Sequence, residues 1–125
     1  MVRPLRLHPG DDLRAALEAL GTTAFVVAGI GSLTIAQLRM AGHTGPTAID
    51  GPLEILSLSG SVTPGAAHLH ASLSDATGRV LGGHVCAGCV VHTTAELLLA
   101  PLPEGSMGRA FDPTTGYPEL VIFTS

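Results

Sequence analysis

The sequence predicts a single α+β domain. Three observations carry that expectation. One segment near the start has helical apolar spacing, most of the remaining chain alternates or is rich in β-branched residues, and no linker or low-complexity tract divides the 125 residues. The helix is read over residues 11–20. Leu13, Ala16, Leu17 and Leu20 fall at i, i+3, i+4 and i+7, Asp11 or Asp12 can cap the start, and Gly21 lies just past the last apolar position.

The other elements are read in chain order. Arg3 to Leu7 alternates and reads as a short strand, turned by Pro9-Gly10. Thr22 to Ile30 reads as a buried strand. Gly29-Ile30-Gly31-Ser32 is expected to break it before a further strand at Leu33 to Met40. Residues 41–52 are rich in Gly and Pro and read as a loop with a short strand near Ala48. Leu53 to Val62 is the next strand. Ala67 to Asp75 and Arg79 to Cys86 form a hairpin around Ala76-Thr77-Gly78, and Cys89 to Leu99 is a long strand. Three prolines and three glycines in 101–117 suggest a long loop, closed by a last strand from Glu119 to Phe123.

Composition narrows the function classes. The chain is 46% hydrophobic and 13% charged, a balance suited to a compact core and an oligomer that hides further apolar surface. It has no Lys, six scattered Arg and a net charge of −4. Duplex DNA binding draws on clustered cations, so direct nucleic-acid binding is not expected. The apolar runs are too short for a membrane span, and no h-region stands behind Met1, so a cytoplasmic location is the expectation. Cys86 and Cys89 have C-x-x-C spacing in a strand-like stretch. Buried free thiols suit that setting better than a redox pair, which wants a helix N-terminus.

The chemistry concentrates in His68-Leu69-His70 and His84. In a strand, His68 and His70 share a face, roughly 6.5–7 Å apart. A three-residue loop Ala76-Thr77-Gly78 with Gly at its left-handed position pairs Asp75 with Arg79. Counting back, His70 lies opposite His84, with His68 diagonal to it. Three imidazoles then converge, and three histidines with an open position are the pattern of a catalytic metal site. A surface H-x-H without a metal is the competing reading, and a one-residue slip would turn His84 away. Cys86 would share the face as a fourth ligand, or be a buried apolar residue. Glu96 is either a partner of a ligand histidine or an edge charge. Arg109 and Asp112 lie in the long loop as functional residues or as a surface ion pair. His8, His43 and His92 are isolated.

Gly51-Pro52-Leu53-Glu54-Ile55-Leu56-Ser57-Leu58-Ser59-Gly60 resembles the signature of the plants-and-prokaryotes-conserved (PPC) domain. His68-Leu69-His70, Gly82-Gly83-His84, Thr93-Thr94-Ala95-Glu96, and Arg109 with Asp112 and Gly116 continue the match over nearly the whole chain. The resemblance implies a curved antiparallel sheet packed around the N-terminal helix, a homotrimer, and zinc or another divalent transition metal on His68, His70 and His84. At fold level it extends to acetolactate decarboxylase, a metal enzyme. It suggests a metal-dependent lyase or hydrolase in which Glu96 is the acid/base and Arg109 holds an anionic small molecule. Two other implied roles are a DNA-associated regulator, as in plant relatives that carry AT-hooks absent here, and a trimer for which the metal is only a stabiliser.

Overall fold

The computed structural model describes residues 1–123. Its elements are β1 (Arg3–Leu7), α1 (Leu13–Glu18), β2 (Ala24–Arg39), β3 (Thr47–Thr63), β4 (Ala66–Ser74), β5 (Val80–Val85), β6 (Val90–Pro101), β7 (Met107–Asp112) and β8 (Tyr117–Ile122). The first six strands form one antiparallel sheet in the order β1-β6-β2-β3-β4-β5. β7 and β8 form a separate two-stranded sheet.

This corrects the expected α+β class. Strand makes up 63% of the chain and helix 5%, so the protein is mostly β and is not built around an N-terminal helix. The anticipated apolar face exists, but α1 is only six residues long. Asp12 caps it by accepting from Ala15 N at 3.0 Å. Leu13 and Leu17 are fully buried, each worth about 2 kcal/mol of transfer free energy. The rest of the core comes from strands: Leu33, Leu38, Leu58, Leu69, Leu73 and Leu99 are the largest of its side chains. A single turn and a half of helix adds to that core and does not organise it.

Two expected breaks are also corrected. Gly29 to Ser32 does not end a strand, since β2 runs through it. Gly31, at φ +148, lies so close to β6 that a Cβ would strike the Thr94 carbonyl. The glycines there permit a bulged approach of two strands, and the register with β6 shifts between Gly31 and Leu33. The expected 101–117 loop is largely the β7–β8 hairpin. Its turn is closed by Asp112, whose carbonyl accepts from Gly116 N at 2.7 Å and whose Oδ1 accepts from Thr114 N at 2.8 Å.

The sheet curls enough for β2 to meet β5 at its far edge, through Leu38 with Val85 and Arg39 with His84. β5 is thereby held from both sides near its end, by β4 and by β2. This double support fixes the backbone of residue 84.

Candidate metal centre

The β4–β5 hairpin has the anticipated register. Asp75 N donates to Arg79 O at 2.9 Å, Gly78 has φ +84, and His70 pairs directly with His84. The turn is secured by the Asp75 carboxylate. It accepts from Thr77 N, Thr77 Oγ1 and Arg79 N, and these bonds, the Thr77 hydroxyl foremost, hold its pKa below the ordinary value. Leu69 and Leu73 point the other way, into the core, with 0% and 1% exposure. Their burial pins the face on which His68 and His70 stand.

The three rings gather on that face. Ring centroids are 5.1 Å apart for His68 and His70, 5.3 Å for His68 and His84, and 5.8 Å for His70 and His84. One ligand nitrogen from each lies within 4.8 Å of the others. His68 and His70 are exposed and His84 is half-buried. The Nδ1 of His84 is buried without a hydrogen-bond partner. Buried polar atoms are ordinarily satisfied, so an unpaired imidazole nitrogen on a ring grouped with two other imidazoles suits a metal ion.

The electrostatics favour the ligating form. Burial, Arg39 and then His68 push the pKa of His84 down to about 4. That of His68 is lowered by burial, Arg109 and His70, against an upward pull from Glu119. Both rings are therefore neutral at physiological pH, as metal coordination requires.

The other candidates separate. Cys86 is not in the cluster of ligand atoms. It lies beyond the end of β5, with its Sγ 3.8 Å from the His84 carbonyl oxygen. Cys89 is fully buried, its thiol pKa raised by burial. Glu96 sits on β6 opposite Arg6 of β1, exposed, with Thr94 Oγ1 3.5 Å from its Oε2. Arg109 does reach the histidines: it lines a cavity of about 460 Å³ with His68, His70, Ser59, Ser61 and Phe25. Its Nη2 donates to Ser61 Oγ at 2.6 Å. Asp112 is not its ion partner but the cap of the β7–β8 turn.

Several residues of this cavity escape sequence reasoning, Phe25, Ser61, Glu119 and Leu120 among them. Glu119 is the acidic group beside the histidines, and Leu120 adds an apolar wall. No spacing rule links residue 119 to residue 68, because only the folding back of the hairpin joins them. A larger cavity, about 530 Å³, lies by Glu54, Asp75 and His92. Among the described residues, the three histidines are the sole group placed to hold a metal.

Comparison with known proteins bears on the family and the fold. The model of the Plants and Prokaryotes Conserved (PCC) domain, also abbreviated PPC, matches residues 2–103. A Synechococcus "Bifunctional protein GlmU" is 47% identical over 97% of the chain, yet the matched part is 20% of that protein. The chain thus spans about a fifth of the length of the curated relatives it matches. A hypothetical protein from Salmonella has the same fold at TM-score 0.89 and 35% identity, covering 99% of this chain and 94% of its own. A metal-containing protein from Archaeoglobus fulgidus superposes at TM-score 0.78 with 28% identity, covering 97% of this chain and 93% of its own.

Proposed function

Because the chain belongs to the Plants and Prokaryotes Conserved domain family, we propose that it is a metal-binding member that holds one divalent ion, zinc foremost, on His68, His70 and His84. The observation that carries this is the convergence of three ligand nitrogens within 4.8 Å on one sheet face. The metal-containing Archaeoglobus relative supports it. An ion held by these three neutral imidazoles would supply Lewis acidity to a small molecule beside it.

The chain's own residues define what that molecule meets. Ser59 and Ser61 offer hydroxyls, Arg109 a positive charge and Glu119 a carboxylate. Glu119, and not Glu96, takes the acid/base place, because Glu119 lines the cavity and Glu96 does not. The active unit is a homotrimer. Val27, Ile30 and Leu56 on the main sheet, and Phe111, Tyr117 and Ile122 on the hairpin, are all exposed in the single chain. Apolar surface of that extent favours association with copies of itself. A DNA-binding role draws little support from a Lys-free chain of net charge −4.

Elemental analysis of protein purified without added metal tests the reading. About one zinc, or another divalent transition ion, per chain is expected, and its loss in His68→Ala and His84→Ala. Wild-type protein that takes up no ion in equilibrium dialysis would overturn it.

A further inference from the structure

The cavity beside the histidines carries an unusual arrangement of charge. Arg109 is half-buried, yet its hydrogen bond goes to a neutral hydroxyl, Ser61 Oγ. Among the described residues the one ion pair is Arg14 with Glu18, so no carboxylate of those residues pairs with this guanidinium. A guanidinium has five N–H donors in a planar fork that suits a carboxylate or another oxyanion. Glu119 lines the same cavity without pairing with Arg109. Phe25 and Leu120 add apolar surface.

We infer that Arg109, seated on Ser61, forms an oxyanion subsite for a small monocarboxylate with a short apolar body, and that Glu119 discriminates against a second negative charge. The inference rests on the metal-site reading for the position of the rest of the ligand, which extends from the arginine toward His68. Three features set the class. One unpaired cation selects one anionic head. Phe25 and Leu120 give up exposed apolar surface to an alkyl or aryl body. The Glu119 carboxylate repels a dianion such as a dicarboxylate or a phosphate ester.

The test uses the full-length chain, loaded with cobalt(II) and also metal-free. Butyrate, its neutral analogue butyramide, succinate and inorganic phosphate are titrated while the visible cobalt spectrum and the amide NMR shifts of Ser61 and Arg109 are monitored. Butyrate is expected to perturb both, and butyramide neither. R109Q should keep the cobalt spectrum and weaken butyrate at least ~10-fold, as loss of a charge-assisted hydrogen bond does. S61A, which frees the guanidinium from its seat, should weaken it less. E119Q should raise succinate and phosphate affinity relative to butyrate. Equal butyrate binding by wild type, R109Q and S61A, or an equal response to butyramide, overturns the subsite. A wild-type protein that shows no cobalt spectrum overturns the metal reading instead, and the metal-free NMR titration then judges the subsite alone.

Discussion

His70 and His84 are a direct cross-strand pair, and His84 is at the same time paired through its other edge with Arg39 of β2. His84 is thus fixed by hydrogen-bonded strands on both sides. His84→Ala should therefore lower affinity for zinc by more than ~100-fold, beyond the 10–100-fold that loss of a supporting partner costs. Competition with a chromophoric chelator measures this. A change under about tenfold would mean that residue 84 is not a ligand.

Removal of the ion should be felt as lost stability. A ligand present at about a thousand times its Kd stabilises the folded state by about 4 kcal/mol. Stripping the metal with EDTA should then lower Tm by on the order of 10 °C. Calorimetry of metal-free and reloaded protein checks it. His68→Ala should show the lower Tm with and without zinc.

The metal-free protein should lose stability in acid through His84. Its folded pKa, about 4, lies below its ordinary value of 6.5. Between these values the unfolded chain binds more protons, so stability rises with pH across the window. The contribution is fully present above pH 6.5 and is lost as pH falls toward 4. Urea titrations at intervals of pH should show that slope in metal-free wild type and a shallower one in His84→Gln.

Gly60 bears on the site from β3. It has φ +155, and a Cβ there would collide with the His68 carbonyl oxygen. Gly60→Ala should cost about 1–3 kcal/mol in strain and weaken metal binding by displacing His68. Gly45→Ala is the control: it has open space around it and no positive φ, so its effect should stay within about 0.5 kcal/mol. Denaturant midpoints and zinc affinities of the two variants decide the matter.

The centre of the site is legible in the sequence because it is local. His68, His70 and His84 belong to one hairpin, whose register is set by Gly78 at the turn and by Leu69 and Leu73 facing inward. Alternation and one turn rule suffice for that. The surroundings are not legible in the same way. Arg109 and Glu119 arrive from a hairpin that reads mostly as loop, because its prolines and glycines flank the strands without entering most of their length. The helix expected over 11–20 is too long for a related reason: apolar spacing continues to Leu20, but α1 ends at Glu18, with Ala19 as its cap. Periodicity reports which face is buried, and not how many residues keep helical hydrogen bonds. The glycines at 29 and 31 look like a turn in one dimension and serve strand contact in three.

The family match ends at residue 103, whereas β7 and β8 begin beyond it, at Met107 and Tyr117. The imidazoles thus lie inside the matched span, whereas the guanidinium and the carboxylate lie outside it, on a two-stranded ribbon that relatives covering 97% and 99% of the chain extend over as well. Evolution can rewrite such a ribbon without touching the ligands, so relatives with an identical triad need not accept the same compound. Grafting this ribbon onto another member would transplant a preference for particular molecules while the ion stayed where it was.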